Sequence, residues 1–228
     1  MPPGRGFAQA IAHESDSRLA VIAEIKRRSP SKGNLNIDVD PVVLAQQYEL
    51  GGATCLSVLT DVEHFAGSPE DLRIARGSVG LPVLRKDFTV DLRDICDARL
   101  MGADAVLLIA AALTGAEMAS FHEVATSLGL DVLVEVHDER ELEVALTANA
   151  SMIGVNQRDL VTFQVDHERA VRMGCVIPSH VVRVAESGVR GRDDAQSLRD
   201  AGYDAVLVGE SLVTATNPTE SLQLLRCT

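Results

Sequence analysis

The sequence predicts an α/β protein in which eight parallel strands alternate with helices and close into a barrel. Short runs rich in Val, Ile and Leu recur along the 228 residues, with amphipathic stretches of helical length between them. The runs are almost continuously apolar, which is typical of strands covered on both faces in a parallel sheet. A Gly-Ala-Asp-Ala-Val-Leu-like phrase begins at residues 52, 102, 149 and 202, one copy for every two strand–helix units. We therefore expect a single (β/α)8 TIM barrel with a short N-terminal segment.

The predicted elements follow in chain order. Residues 1–18 form the N-terminal segment, with one short helix expected over 7–14, and residues 19–228 form the barrel. The apolar runs predict strands at 19–26, 54–60, 82–87, 105–110, 132–136, 152–156, 181–186 and 205–209. Helical patterns span 41–50, 114–128, 138–147, 192–201 and 218–226. Asp40 is a suitable N-cap for the first of these helices, with Pro41 at its first position.

A doubly wound open sheet is the alternative architecture for this alternation. It predicts no fourfold repeat, and it usually carries a glycine-rich turn that binds a dinucleotide. No G-x-G-x-x-G motif follows the first predicted strand. The barrel is therefore the preferred interpretation.

Composition narrows the functional class. Lys and Arg number 21 against 33 Asp and Glu, a net charge of −12, which disfavours nucleic acid or a membrane surface as the main partner. No apolar run approaches the roughly 20 residues of a membrane span, and the N-terminus lacks a signal-peptide pattern. The four cysteines and six histidines show no metal-ligand spacing, and the histidines are expected at surface or loop positions. We expect a cytoplasmic protein that is a monomer or a weak homo-oligomer.

Charged and amide side chains interrupt the apolar runs near their C-terminal ends. They occur in five of the eight predicted strands: Glu24 and Lys26, Arg85 to Asp87, Glu135, Asn156 with Arg158 just beyond it, and Glu186. Burying an unpaired charge costs several kcal/mol, so each needs a partner or a function. A single residue of this kind could be explained by a structural ion pair inside the barrel. Here five strands end in such groups, all at the face where barrels of this type hold their active sites, and this favours a catalytic role.

The loops after the last two strands carry a second signal. Ser187 and Gly188 follow strand seven, and Gly209, Glu210 and Ser211 follow strand eight. Glycine lets backbone N–H groups approach an anion, and this pair of loops is the usual phosphate site of the fold. Glycines also serve turns for conformational reasons alone. Their joint position favours a phosphorylated substrate.

Five motifs in order resemble those of one enzyme family, the indole-3-glycerol-phosphate synthases. They are AEIKRRSPSKG from Ala23, PVLRKDF from Pro82, LVEVH from Leu133, GVNQRDL from Gly154 and AESGV from Ala185. The resemblance runs from about Phe7 to the C-terminus. It implies closure of the ring of a carboxyphenylamino-deoxyribulose phosphate with loss of carbon dioxide and water. It also implies that no metal or organic cofactor takes part.

The resemblance implies roles for individual residues. Lys86 is the acid at the carbonyl oxygen during ring closure. Glu135, Glu24 and Lys26 are candidates for the acid and the base of the later dehydration, and Lys26 is also a candidate for holding a substrate anion. Asn156 and Ser187 are positioning residues, and Arg158 is a partner for an anion or a loop. Apolar residues are expected around the anthranilate ring: Pro30, Phe65, Phe88, Leu107 and Leu160.

The family usually carries a longer helical extension that folds over the mouth of the barrel. About 18 residues precede the first strand here, so we expect a more open mouth. Two alternatives to the synthase stay open. One is a paralogue that closes the same ring on a substituted anthranilate derivative, and the other is a non-catalytic phosphate-binding barrel. A phosphoribosylanthranilate isomerase fits the first and third strand ends less well.

Overall fold

In the computed structural model, which describes residues 3–159 and 162–227, eight parallel strands form a closed barrel. We number them in chain order: β1 Ala20–Ile25, β2 Cys55–Leu59, β3 Val83–Lys86, β4 Ala105–Ile109, β5 Asp131–Val136, β6 Met152–Asn156, β7 Val182–Glu186 and β8 Ala205–Val208. Each strand pairs with the next one along the chain, and β8 pairs with β1 to close the ring. The predicted fold class is confirmed, and every predicted strand lies within two residues of an observed one.

Helices follow the strands and form the outer layer. They are α1 Phe7–Ser15, α2 Pro41–Gly51, α3 Val62–Phe65, α4 Pro69–Ser78, α5 Leu92–Met101, α6 Gly115–Ser127, α7 Glu139–Thr147, α8 His167–Val176, α9 Arg192–Asp200, α10 Glu210–Val213 and α11 Pro218–Leu225. The Asp40 carboxylate accepts hydrogen bonds from two backbone N–H groups of α2, as expected for its N-cap. The sequence patterns did not predict α3, α4, α5, α8 or α10, nor the small antiparallel hairpin Arg28–Ser29 and Gly33–Asn34 after β1.

Two apolar clusters hold the layers together. Alternate strand residues such as Ile22, Leu84 and Leu133 point into the barrel and fill it. The other strand residues, such as Val21 and Val106, pack under the helices in a larger cluster. Since both faces of every strand are covered, the runs carry no polar alternation.

Helix α1 closes the end of the barrel at which the strands begin. Phe7 and Ile11 are fully buried in the interior cluster. The N–H of Ala8 donates to Asp131 Oδ2 at 3.0 Å, and the N–H of Arg5 donates to Asp104 Oδ1 at 2.9 Å. The described N-terminal segment therefore lies opposite the mouth, and the expected openness of the mouth stays a prediction.

No helix among the described residues has the length and apolar character needed to cross a membrane. Within 3–159 and 162–227, no three His, Cys, Asp or Glu side chains are grouped so that they could hold a metal ion.

Candidate active site

A cavity of about 860 Å³ opens at the C-terminal ends of the strands. Its size suits a substrate of one aromatic ring and a phosphorylated chain. All six residues predicted to be catalytic line it: Glu24, Lys26, Lys86, Glu135, Asn156 and Ser187. The predicted binding residues Arg158, Gly188, Gly209, Glu210 and Ser211 line it as well.

The Lys86 ammonium group lies among buried carboxylates at the centre of this cavity. Its Nζ is 3.7 Å from Glu135 Oε2 and 3.9 Å from Glu186 Oε2. Burial alone would lower the pKa of Lys86, but the negative charges of neighbouring carboxylates, that of Glu135 first among them, outweigh it and raise this pKa. Lys86 therefore stays protonated at neutral pH, as a donor to a substrate oxygen must.

In Glu186, burial and the nearest negative charge shift the pKa in the same direction. Glu186 is 2% exposed, and burial together with the charge of neighbouring Glu135 raises the pKa of its carboxyl group well above the ordinary value. The strand register sets Glu186 directly beside Asn156 and Leu207. Glu186 was not among the predicted site residues, although a carboxylate at the end of an apolar strand was the same signal that singled out Glu24.

Glu24 and Lys26 form a close ion pair on the other side of the cavity. Two residues apart on one strand, they point the same way, and Nζ lies 2.6 Å from Glu24 Oε1. Burial raises the pKa of Glu24, but the charges of Lys26 and Lys86 and two hydrogen bonds hold it below its usual range. Glu24 is therefore an anion at neutral pH, whereas the pKa of Glu186 is shifted in the other direction.

Glycines make room for these carboxylates. A Cβ on Gly154 in β6 would lie 2.0 Å from Glu186 Oε1. A Cβ on Gly209 would lie 2.3 Å from Glu24 Oε1 and 2.8 Å from Lys26 Nζ. Such distances are impossible for a real side chain, so both positions require glycine while the charged groups keep their places.

Asn156 connects Glu135 to the loop that follows β6. Its Nδ2 donates to Glu135 Oε1 at 2.9 Å, and its Oδ1 accepts the N–H of Arg158 at 3.0 Å. The Arg158 guanidinium group donates to the carbonyl of Phe163 at 3.0 Å. One amide side chain thus fixes both a buried carboxylate and the start of a cavity loop.

The loop after β7 is held in an unusual backbone conformation. Ser187 and Gly188 both have positive φ angles, 67° and 74°, and a Cβ on Gly188 would meet Val165 at 2.5 Å. Buried Gln157 donates from Nε2 to the Ser187 carbonyl at 2.8 Å. This conformation costs about 1–3 kcal/mol at the serine, and such positions cluster at ligand sites.

The loop after β8 lines the cavity beside the loop after β7. The Ser211 hydroxyl donates to the Val189 carbonyl at 3.0 Å and ties this loop to the one after β7. Glu210 is paired with Lys32 at 3.5 Å and is 4.0 Å from an Arg158 nitrogen. The carboxylate of Glu210 therefore links two basic side chains at the mouth.

Apolar side chains cover one side of the cavity. The predicted Pro30, Phe65 and Phe88 line it. Leu107 is 1% exposed and belongs to the interior cluster, while Ile109, two residues further on the same face of β4, lines the cavity. Leu160 lies outside the described residues. The expected role of these side chains around an aromatic ring stays a prediction.

His137 lies in a loop, one of the two kinds of position expected for the histidines, and there it approaches a buried carboxylate. It follows β5 directly, and its side chain is 14% exposed. Its Nε2 is 3.7 Å from Glu135 Oε1, and its Nδ1 is 3.0 Å from Glu141 Oε2. The absence of metal-ligand spacing gave no sign of this contact.

The chain matches a family model over residues 1–225, and the family is described as indole-3-glycerol phosphate synthase. Curated proteins of that name are similar over nearly the whole chain. The protein from Koribacter versatilis is 48% identical over 221 residues, covering 97% of this chain and 85% of the relative. The protein from Kineococcus radiotolerans is 53% identical over 218 residues, covering 94% and 80%.

Solved structures of distant sequence share the fold. A thiamine phosphate pyrophosphorylase from Pyrococcus furiosus superposes with a TM-score of 0.67 at 16% identity, covering 91% of this chain and 93% of that one. An N-acetylmannosamine-6-phosphate 2-epimerase from Clostridium perfringens gives 0.66 at 11% identity, covering 84% and 86%. At this identity the likeness concerns the barrel alone.

Proposed function

Since this chain belongs to the indole-3-glycerol phosphate synthase family, the ring-closing carboxy-lyases of tryptophan biosynthesis, we propose how its own side chains divide that reaction. The observation that carries the proposal is the convergence of Glu24, Glu135 and Glu186 on Lys86 at the mouth of the barrel. Buried groups whose charges are set against one another suit acid–base chemistry near neutral pH.

Lys86 acts in ring closure. A bond forms between the ring carbon that bears the carboxylate and the ketone carbon, and the ketone oxygen becomes negative. The Lys86 ammonium group donates to that oxygen and supplies its proton, and the carboxylate then leaves as carbon dioxide while its bonding electrons restore the aromatic ring. A fixed cation in a cavity of low dielectric constant stabilises this developing charge more than water would.

Glu186 and Glu135 act in the dehydration that follows. The hydroxyl group leaves as water after taking a proton, and the carbon next to the ring nitrogen loses one, which forms the double bond. The raised pKa of Glu186 favours the protonated form of its carboxyl group and suits it to be the acid. Glu135 accepts a hydrogen bond from Asn156 and faces Lys86, an arrangement that suits a carboxylate base.

Basic groups hold the anionic ends of the substrate. Lys26 Nζ lies beside Gly209, where an added Cβ would meet it at 2.8 Å, and the phosphate binds here, between the loops after β7 and β8. Arg158 and Lys32 complete this side of the mouth. The apolar wall of Phe65 and Phe88 receives the aromatic ring.

Turnover of the unsubstituted carboxyphenylamino-deoxyribulose phosphate, followed by indole fluorescence, tests the proposal. The chain has no Trp and two Tyr, so the product is seen against a clean background. Lys86→Ala removes the cation and is expected to lower kcat by at least about 1,000-fold, the scale of losing a main transition-state donor. Arg73→Ala, at an exposed position on α4, is the control and is expected to match the parent.

Retained turnover in a folded Lys86→Ala protein would refute the role of Lys86. A folded parent with no turnover would reject the unsubstituted substrate and direct the assay to substituted anthranilate derivatives. The cytoplasmic location, the monomeric or weakly associated state and the absence of a nucleic-acid partner stay predictions.

A further inference from the structure

His137 connects a surface helix to one of the proposed catalytic carboxylates. Its ring lies between Glu135 at the end of β5 and Glu141 on α7. The Glu141 carboxylate accepts twice from this residue, from the backbone N–H at 2.7 Å and from Nδ1 at 3.0 Å. The helix thereby fixes both the position and the rotation of the imidazole.

The second ring nitrogen is buried and faces Glu135. Nε2 has no hydrogen-bond partner within the described part of the chain, and it lies 3.7 Å from Glu135 Oε1. A buried polar atom without a partner costs about 1–3 kcal/mol. A small movement of either side chain would make this bond, and such contacts are often long until substrate is bound.

From this geometry we propose that His137 is a positioning residue for Glu135, donating its Nε2–H to the carboxylate while Glu141 holds Nδ1–H. The inference rests on the proposed function, since it concerns how Glu135 is held for proton transfer. It adds a third support to Glu135, which already contacts Asn156 and Lys86.

The protonation of His137 controls this contact. Burial alone would lower the pKa of His137, but its bond to Glu141 and the charges of Glu135 and Glu141 outweigh burial and the nearby Arg169 cation, and raise it. The imidazolium form carries both N–H groups. When the ring loses a proton, Nδ1 keeps its hydrogen for Glu141, and Glu135 loses its donor.

Two substitutions distinguish the roles of the two ring nitrogens of His137. In His137→Asn the amide occupies the place of Nδ1 and still reaches Glu141, whereas in His137→Gln the amide occupies the place of Nε2 and reaches Glu135. We expect His137→Asn to lower kcat about tenfold with little change in KM, as loss of one hydrogen bond to a charged group would. We expect His137→Gln to keep kcat within about threefold of the parent.

The pH profile gives a readout that packing alone would not move. The parent is expected to lose kcat as pH rises through the His137 titration, and His137→Gln, whose amide does not titrate, is expected to lack that decline. His180→Gln, at an exposed position, is the control and should keep it. Equal impairment of the Asn and Gln variants, or a wild-type rate in His137→Asn, would overturn the proposal.

Nuclear magnetic resonance tests the contact without an assay. The imidazole signal of His137, assigned by its loss in His137→Asn, is followed against pH in the parent and in Glu135→Gln. Removing the Glu135 charge is expected to lower the His137 titration midpoint, and an unchanged midpoint would refute the contact. A folded parent without turnover rejects the unsubstituted substrate, and retained turnover in Lys86→Ala rejects the proposed role of Lys86, whereas this measurement judges the His137 contact in either case.

Discussion

At the scale of single residues, burial and charge decide the state of each group in the cavity. Glu24 and Glu186 are both buried carboxylates, 4% and 2% exposed. Glu24 has a lysine at 2.6 Å and a lowered pKa, whereas Glu186 has another carboxylate beside it and a raised pKa. The same residue type thus has its pKa shifted in opposite directions at the two sides of the cavity, which suits the different roles proposed for the two carboxyl groups.

Glu186→Gln tests the protonated state of Glu186 through stability. The unfolded chain releases this proton near pH 4.3, while the folded chain holds it to a much higher pH. The stability contributed by this group is therefore fully present below the unfolded pKa and is lost as pH rises toward the folded pKa. Glutamine does not titrate, so we expect the variant to have a Tm a few degrees above the parent at pH 8 and an equal Tm at pH 4.

Activity is expected to fall in the same variant, by about 100-fold or more, because an amide cannot deliver a proton. Glu123→Gln, on an exposed position of α6, is the matched control and should change neither Tm nor kcat. A Tm difference that does not depend on pH would show that Glu186 is ionised in the folded protein.

At the scale of elements, adjacent strands supply the space that these side chains need. The register places Glu135 of β5 beside Gly154 of β6, and Asn156 of β6 beside Glu186 of β7. Three consecutive strands thus bring two carboxylates and an amide to one level of the barrel. Gly154 leaves that level open, because any Cβ there would strike Glu186 Oε1.

Gly154→Ala tests this packing. The new methyl group must displace the Glu186 carboxylate or the strand, so we expect kcat to fall at least about tenfold and stability to fall by about 1–3 kcal/mol. Gly77→Ala is the matched control, because Gly77 is exposed on α4 and no atom lies within 4 Å of its added Cβ. That variant is expected to be as active as the parent and slightly more stable. Unfolding curves and turnover of the two variants, measured together, decide whether Gly154 is needed for space.

At the scale of the whole molecule, the lysine residues are distributed unevenly. The chain has three lysines, at positions 26, 32 and 86, in a protein of net charge −12. All three line the one cavity at the C-terminal ends of the strands. The lysine side chains of the molecule therefore face the site where a substrate with two anionic groups, a carboxylate and a phosphate, is expected. The outer helices form their ion pairs with arginine.

Lysine acetylation tests this arrangement in a single reaction. Lys32 has the most exposed side chain, 52%, and is expected to react first, while Lys26 and Lys86, at 17% and 18%, react later. Acetylation removes the charge, so activity is expected to disappear as the last two sites are modified, with indole-3-glycerol phosphate slowing both. Peptide mass spectrometry assigns the sites, and Lys32→Arg removes the fast one. Full acetylation with unchanged kcat/KM would contradict the proposed roles of Lys26 and Lys86.

The barrel could be predicted from the sequence, because the local signals along the chain agree with one another. Continuous apolar runs, a repeat of about 50 residues and Asp40 before Pro41 each report a short-range preference, and all describe the same alternation. The sequence did not predict α5 and α8, each of which buries only two or three residues against the barrel and depends on that packing. It also marked Glu24, Lys86 and Glu135 as charges that an apolar strand does not explain.

How Glu24, Lys86 and Glu135 act depends on the neighbours that each side chain has in the folded barrel, and no local pattern reveals those neighbours. Burial and the proximity of Glu135, which is 51 residues away in the chain, raise the pKa of Glu186, and no pattern along the chain encodes that distance. His137 entered the sequence analysis only as the last residue of the LVEVH motif, with no role assigned, yet barrel closure and the packing of α7 place its ring between two carboxylates. The strands can be predicted because hydrophobicity is an intrinsic property of each residue. The state of a buried ionisable group depends on the groups that folding brings within a few ångströms, and those become fixed only when the barrel closes.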